Sequence, residues 1–172
     1  QSFGQTVVIA FNKFATDTDE EIEVLRKHCE EMGCGFAVNS AFAEGGKGAM
    51  ELAELVVKTI DEHPSAPLYF TYDDDEPVEK KIEDVAFNLY GAGSVTMSDS
   101  AKSMIEEIKK LGAEKFPICI AKTQYSFSTD AKAYGPTEGF ELHVRDITVN
   151  MGAEMIVVIA GPIMRMPGLP KS

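Results

Sequence analysis

Short apolar runs alternate with longer stretches of helical periodicity, and this alternation constrains the fold of the chain more than any other feature. Amphipathic stretches with apolar residues at helical spacing separate runs that are rich in β-branched and aromatic residues. A repeated order of strand and helix predicts an α/β fold with a mostly parallel, Rossmann-like sheet flanked by helices. The predicted strands are "TVVIAF" (6–11), "GFAVNS" (35–40), "LYFTY" (68–72), "SVTM" (94–97) and "FPICIAK" (116–122).

The first predicted helix carries its own start and stop signals. Thr18 and Glu21 match the capping-box pattern, in which each side chain accepts a hydrogen bond from the backbone N–H of the other residue. Gly33 follows the last apolar position of this helix and is typical of a helix end. The sequence therefore predicts a helix that begins just after Thr18.

The regular pattern ends after Lys122. Residues 123–139 have no clear period and predict an irregular loop, and long ordered loops in compact domains are often functional. Two further apolar strands follow, and the end of the chain is rich in proline. We therefore predict an α/β domain over residues 1–122 and an irregular C-terminal segment of loop and strand over 123–172 that packs on it.

Composition excludes several classes of partner. The chain has 172 residues and a formal net charge of −12, so its surface repels nucleic acid. No apolar run reaches the length of a membrane helix, and no signal peptide is recognisable, so we expect no membrane partner. The chain opens on Gln1 rather than on methionine, which suggests a trimmed protein or the continuation of a longer one.

Cysteine usage fits a reducing, cytoplasmic location. The three cysteines, Cys29, Cys34 and Cys119, form no C-x-x-C pair, and their odd number argues against a disulfide framework. Cys29 falls on the apolar face of a predicted helix and Cys119 falls inside a predicted strand. We expect both of these thiols in the core.

Polar and aromatic residues collect where predicted strands end, which is where ligands bind on parallel sheets. A glycine-rich turn in front of a helix can direct backbone N–H groups at an anion, and the alternative is a plain strand-to-helix connection. The phenylalanines at these points are either ligand contacts or core residues. The candidates are Asn12, Lys13 and Phe14 after the first strand, Phe42, Gly45, Gly46 and Lys47 after the second, and Lys122, Thr123, Gln124 and Tyr125 after the fifth.

Familiar catalytic motifs are missing from the sequence. The glycine-rich turn lacks the Ser or Thr that follows lysine in a phosphate-binding loop, and "NKFA" lacks the aspartate of the guanine-binding N-K-x-D motif. His28, His63 and His143 are far apart and lack the spacing of metal ligands. The run "DDD" (73–75) most simply begins a helix, and the alternative is a cation site. We predict no catalytic residue and no metal ligand.

Several strings taken together resemble one family. They are "VVIAFNKFATDTDEE", "FAEGGKGAMELA", "FPICIAKTQYSFSTDAKAYGPTEGF", "VRDITVNMGAE" and "IMRMPGLPK". The chain resembles formate–tetrahydrofolate ligase, also called formyltetrahydrofolate synthetase, nearly end to end. The strings "AKTQYSFS" and "MPGLPK" are specific, because no requirement of the fold selects them.

The resemblance implies a function in one-carbon metabolism. The family joins formate to tetrahydrofolate at the expense of ATP, with magnesium, and gives 10-formyltetrahydrofolate, ADP and phosphate through formyl phosphate. Members are much longer, and their ATP phosphate loop lies in an N-terminal domain. The chain thus resembles the C-terminal part of such an enzyme, inactive alone, with that N-terminal domain and other copies of itself as partners.

The resemblance also implies roles for residues. Phe14 and Phe42 correspond to two aromatic residues that clamp the pterin ring of the folate, and the second is often tryptophan in the family. Gly45, Gly46 and Lys47 belong to the same folate site. By the same resemblance, the other strand-end residues line the nucleotide or folate cleft, and Pro167, Gly168 and Leu169 pack near the adenine.

Two other functions stay open from the sequence. The first is a non-catalytic assembly or regulatory module with the same fold, since an exposed helix face could serve an interface. The second is an unrelated nucleotide-binding α/β domain, which would require ATP binding by the chain alone. The missing phosphate loop argues against the second.

Overall fold

The computed structural model describes residues 2–163. The chain divides into two compact units, and the division falls between Tyr69 and Phe70 in the sequence. We call the part before this point unit 1 and the part after it unit 2. The boundary after residue 122 that the sequence suggests lies within unit 2, and the assignment of 1–122 and 123–172 as domains stays a prediction.

Unit 1 is a two-stranded parallel sheet with helices. Strands β1 (Val8–Asn12) and β2 (Gly35–Asn39) pair in parallel register from Val8 opposite Gly35 to Asn12 opposite Asn39. The helices are α1 (Asp19–Glu31), the short α2 (Ala41–Glu44) and α3 (Met50–Glu62), with a 3₁₀ turn, Gly45–Ala49, between α2 and α3. The capping box of α1 is present as predicted, with both reciprocal bonds between Thr18 and Glu21.

The core of unit 1 is small. Ile22 and Cys29 of α1 pack on Phe36 of β2, and the Phe11 and Phe36 rings stack with their centroids 6.3 Å apart. The guanidinium of Arg26 lies over the Phe36 ring at 4.9 Å from its centroid. Burial of each large apolar side chain stabilises a fold by roughly 1.5–3 kcal/mol, so this cluster makes a modest contribution.

Unit 2 contains the remaining helices and strands. Its helices are α4 (Val78–Asn88) and α5 (Asp99–Leu111). Strands β3 (Ser94–Met97) and β5 (Glu141–Val144) form one parallel pair. Strands β4 (Ile118–Ala121), β7 (Met155–Ile159) and β6 (Asp146–Asn150) form a second sheet, parallel between β4 and β7 and antiparallel between β7 and β6.

Unit 2 has an extensive apolar core. Its helices contribute fully buried residues such as Ile82 and Ile108, and its strands contribute Leu142, Ile147 and Ile156. This arrangement confirms the predicted α/β class, with parallel strands flanked by helices. Within residues 2–163 the strands form three small sheets, one in unit 1 and two in unit 2.

Two details of the sequence interpretation are wrong. Residues 68–72 do not form a strand: Leu68 and Phe70 are exposed, and the Tyr69 N–H donates to the Phe3 carbonyl. An apolar run alone does not distinguish a strand from an extended connection. Cys119 does lie in β4, but its side chain is exposed, because alternate residues of a strand point to opposite faces. Cys29 is buried as expected.

Candidate functional site

The carboxyl ends of β1 and β2 are tied together by two asparagines. The Asn39 side-chain amide donates to Asn12 Oδ1 at 2.8 Å, across the last register pair of the two strands. The Asn39 side-chain oxygen accepts from the Ala41 N–H at 3.2 Å, where α2 begins. Its backbone carbonyl accepts from the Lys13 N–H at 3.0 Å. Asn39 therefore sets the positions of both chain segments that leave the sheet.

Phe14 lies in a tight turn that leads from β1 to α1. Its backbone N–H donates to Asp17 Oδ2 at 2.7 Å, and the Asp17 N–H donates back to the Phe14 carbonyl at 3.2 Å. The Lys13 ammonium pairs with Asp19 at 3.3 Å. Backbone and neighbouring side chains are thus fixed, while the Phe14 side chain remains 67% exposed.

Phe42 lies on α2, directly after β2. Its side chain is 101% exposed, so no contact within unit 1 covers it. Phe14 and Phe42 follow the paired residues Asn12 and Asn39, so both rings extend from the same edge of the sheet. The exposure of both rings argues against the alternative that these phenylalanines are core residues, and the ligand interpretation stays a prediction.

The glycine-rich turn is a 3₁₀ segment that folds back on the strand end. Gly45 has a φ of +60°, a conformation that favours glycine. A Cβ at Gly48 would lie 2.4 Å from the Ser40 carbonyl carbon, so only glycine fits there. The Ser40 N–H donates to the Gly48 carbonyl at 2.9 Å. Gly46 and Lys47 are exposed beside this contact.

Unit 2 contains an open cleft of about 750 Å³. One wall is the end of α4 with the residues after it, and the other is formed by the segments 122–127 and 135–138. The two walls are joined where the Gly139 N–H donates to the Gly91 carbonyl at 2.8 Å. Side chains at the opening include Gln124 and Tyr125, and both are exposed. The residues predicted to follow the fifth strand thus line one cleft.

Lys122 has the most unusual surroundings in this cleft. Its ammonium lies over the Tyr90 ring at 4.6 Å from the centroid and 6.0 Å from that of Phe127. It donates to the backbone carbonyls of Ser126 and Thr123. Burial lowers the pKa of this ammonium. Burial likewise raises the pKa of the Tyr90 hydroxyl, with a smaller contribution from Cys119.

The structure groups the predicted site residues into two sets, one in each unit. Asn12, Lys13, Phe14, Phe42, Gly45, Gly46 and Lys47 share the strand ends of unit 1, and Lys122, Thr123, Gln124 and Tyr125 share the cleft of unit 2. Pro167, Gly168 and Leu169 lie outside the described residues. The expectation that the run Asp73–Asp75 begins a helix is wrong, because α4 begins at Val78 and the run lies in a turn before it. The carboxylate of Asp75 pairs with Lys115 at 2.5 Å. Within 2–163, no group of three or more histidine, cysteine or carboxylate side chains is arranged to hold a metal ion.

Sequence reasoning missed Asn39, Gly48 and Tyr90. Asn39 closes the second predicted strand and faces Asn12 in the neighbouring strand, a pairing that only the register reveals. Gly48 could have been selected from the glycine-rich turn by its position before the long helix. Nothing in the local sequence of Tyr90 indicates that it lies against Lys122, because the two residues belong to different elements.

These features define an α/β protein whose candidate binding residues lie at the ends of parallel strands and along one cleft. The family model for formate–tetrahydrofolate ligase matches residues 1–172, the whole chain. The chain therefore belongs to the formate–tetrahydrofolate ligase family, which confirms the resemblance drawn from the sequence.

Curated relatives agree with this assignment. The chain is 63% identical over 169 residues to the formate–tetrahydrofolate ligase of Phocaeicola vulgatus, covering 98% of this chain and 30% of that protein. It is 62% identical over 170 residues to that of Bacteroides fragilis, covering 99% and 31%. Against Bacteroides thetaiotaomicron it is 60% identical over 171 residues, covering 99% and 31%. The chain thus spans about a third of the length of these relatives.

Between residues 2 and 163, no helix combines the length and apolar character needed to cross a bilayer.

Proposed function

We propose that this chain is the tetrahydrofolate-binding part of a formate–tetrahydrofolate ligase. Membership of the family supports the substrate class, and the chain corresponds to 31% of the Bacteroides fragilis relative. The complete enzyme would join formate, ATP and tetrahydrofolate to give 10-formyltetrahydrofolate, ADP and phosphate. The contribution of this chain would be to hold the folate.

The observation that carries the proposal is the pair of exposed rings at one sheet edge. Phe14 is 67% exposed and Phe42 is 101% exposed, although water contact is unfavourable for a phenyl ring. The backbone beneath each ring is fixed by hydrogen bonds of Asp17 or Asn39. A rigid backbone with an exposed aromatic side chain suits a flat ligand ring, because little conformational entropy is lost on binding.

The reduced pterin of tetrahydrofolate has a flat pyrimidine half, and the whole bicycle is about the size of a fused aromatic side chain. Stacking between such rings adds roughly 0.5–1.5 kcal/mol per pair to the burial of apolar area. Lys47 supplies a positive charge on the glycine-rich turn, where its side chain is exposed. Its ammonium would meet the carboxylates of the glutamate tail of the folate.

The phosphoryl chemistry belongs elsewhere in the complete protein. In the proposed reaction a formate oxygen attacks the terminal phosphorus of ATP, ADP leaves, and a folate nitrogen then displaces phosphate from formyl phosphate. The chain has no G-x-x-x-x-G-K-[ST] loop for the phosphates, and the phosphates of MgATP would be held by the remainder of the enzyme. Orientation of the folate nitrogen is the step that we assign to this chain.

Calorimetric titration of tetrahydrofolate into the purified chain, with and without ATP and formate, tests the proposal. We expect saturable folate binding that ATP and formate leave unchanged, and no turnover by the chain alone. If the chain binds no folate, the titration is repeated with the remainder of the enzyme added. Continued absence of binding in that mixture would overturn the assignment.

A second candidate function is an assembly module without catalytic duty. The outer face of α3 favours it, because Val57 is 59% exposed and Ile60 is 63% exposed, with Met50 also exposed on the same helix. A helix face of this kind suits contact with other copies of the chain. The module would self-associate in sedimentation experiments and would not bind folate, so the titration separates the two functions.

A further inference from the structure

The ammonium of Lys122 is surrounded by backbone carbonyls and aromatic rings of unit 2. A lysine ammonium has three N–H donors. Here the donors meet the Thr123 carbonyl at 3.4 Å, the Ser126 carbonyl, and the face of the Tyr90 ring, whose centroid lies 4.6 Å away. No carboxylate of residues 2–163 lies within ion-pair distance of this ammonium. Among the described residues, its positive charge therefore faces carbonyl dipoles and the rings of Tyr90 and Phe127.

The segment that Lys122 holds has no helix or strand to shape it. Its order comes from serine hydroxyls: the Ser126 hydroxyl donates to the Ala133 carbonyl at 2.7 Å and accepts from the Ser128 N–H at 3.0 Å. The Ser128 hydroxyl in turn accepts from the Asp130 N–H at 3.1 Å. Ser126 thus takes part in both sets of bonds: its carbonyl accepts from Lys122, and its hydroxyl belongs to the serine network.

We propose that Lys122 is a positioning residue, whose ammonium fastens the segment 123–128 against the Tyr90 ring and so maintains the wall of the unit 2 cleft. It acts on a ligand through Gln124 and Tyr125, which line the cleft and carry exposed side chains. The ammonium itself is bonded to carbonyl groups of the protein and does not contact the ligand. The proposal rests on the proposed function for the identity of the substrates, and it adds that ATP or tetrahydrofolate reaches this cleft.

The chemistry requires a cation at this position. A neutral, unbranched side chain of similar length, methionine, leaves the Thr123 and Ser126 carbonyls without their donor and removes the attraction to the Tyr90 ring. Arginine preserves the charge and can donate to both carbonyls. K122M and K122R therefore separate the charge from the length of the side chain. K132M is the matched control, because Lys132 is an exposed lysine on the same irregular loop, residues 123–139.

Two measurements on the purified chain test the proposal. The first is hydrogen exchange of the Ser128 and Asp130 amides, compared with the amides of β4. We expect K122M to speed exchange in the segment at least about fivefold, as expected for loss of a cation–ring contact and two hydrogen bonds, and to leave β4 unchanged. K122R and K132M should retain the wild-type exchange rates.

The second measurement is the affinity for ATP and for tetrahydrofolate, titrated separately. The substrate that occupies the cleft should bind at least about fivefold more weakly to K122M than to wild type, and K122R should restore most of the affinity. Unchanged exchange in K122M overturns the proposal. So does unchanged affinity for every substrate that the wild-type chain binds, because the segment would then be ordered without serving binding.

Chemical rescue tests the role of the positive charge, and recovery of the affinity together with slow exchange separates a positioning role from a purely structural one. In K122A, propylammonium can occupy the place of the missing side chain, whereas propanol has the same length and no charge. Propylammonium should restore slow exchange in the segment and also the lost affinity. If the wild-type chain alone binds neither substrate, the affinities are compared with the remainder of the enzyme added. Absence of folate binding in that mixture overturns the proposed function, and the exchange data then decide whether Lys122 orders the segment.

Discussion

Asn39 donates its side-chain amide to Asn12 at 2.8 Å, and this bond joins the two strand ends from which Phe14 and Phe42 depart. The same Asn39 accepts from the Ala41 N–H at the start of α2. The relative position of the two candidate ring-bearing segments is thus set by one polar residue.

Removal of the asparagine bonds should weaken folate binding in graded steps. N12A removes the cross-strand bond alone, whereas N39A removes that bond and the one to Ala41. Each bond contributes about 0.5–1.5 kcal/mol, so N39A should lose more affinity than N12A. Calorimetry with tetrahydrofolate gives the comparison. Equal losses would show that the bond to Ala41 has no part in placing Phe42.

Loss of either exposed ring should weaken folate binding. F14A and F42A each remove a stacking surface, and we expect about a tenfold lower affinity for each, or about 1.4 kcal/mol. F3A is the matched control, because Phe3 is an exposed phenylalanine of the same unit that lies before β1. Full affinity in both F14A and F42A would refute the clamp assignment. F42W should bind at least as tightly as wild type, since the larger ring stacks over more of the pterin.

Substitution of two neighbouring glycines should have unequal effects on stability. A Cβ at Gly48 would lie 2.4 Å from the Ser40 carbonyl carbon, whereas one at Gly46 would meet nothing within 4 Å. G48A should lower the free energy of unfolding of unit 1 by about 1–3 kcal/mol, the usual cost of overpacking. G46A should be tolerated. Denaturant unfolding followed by circular dichroism measures both, and an equally stable G48A would contradict the close contact.

Lys81 should make stability depend on pH. Its side chain is fully buried and donates to the Glu114 carbonyl at 2.8 Å and the Phe116 carbonyl at 3.3 Å. Burial lowers its pKa from the ordinary value of 10.5, although nearby aspartates partly oppose the shift. Between the lowered pKa and 10.5 the unfolded chain binds more protons, so the free energy of unfolding contributed by this group rises with pH.

The variant K81M removes this contribution and measures it. In urea unfolding at several pH values, we expect the free energy of unfolding of wild type to rise relative to that of K81M as the pH approaches 10.5. K102M, which changes an exposed lysine on α5, should follow the wild-type pH dependence. If the free energy of unfolding of wild type instead falls relative to that of K81M over the same pH range, the Lys81 pKa is not lowered by burial.

Local signals in the sequence were sufficient for most elements. The capping box of Thr18 and Glu21 placed the start of α1 correctly, because it depends only on residues close in sequence. The run 68–72 was misassigned, since its structure depends on the contact of Tyr69 with the distant Phe3. The apolar character of a short run does not indicate which distant residue it will contact.

The candidate site shows the same limit. Phe14 and Phe42 could be selected because they follow predicted strands, and parallel strands end at one edge. The Asn12–Asn39 bond and the Lys122–Tyr90 contact could not, because each joins residues from different elements. Register and tertiary packing fix such pairs, and neither is visible in a single sequence.

The unequal cores of the two units have a calorimetric consequence. Unit 1 rests on a cluster of three buried side chains, Ile22, Cys29 and Phe36, whereas unit 2 buries many more. A differential scanning trace should therefore contain two peaks, with the earlier one from unit 1. Because a ligand raises the melting temperature only of the unit that it binds, saturating tetrahydrofolate should move the earlier peak toward the later one. Substrate occupancy would thus be readable as the merging of two heat-absorption events.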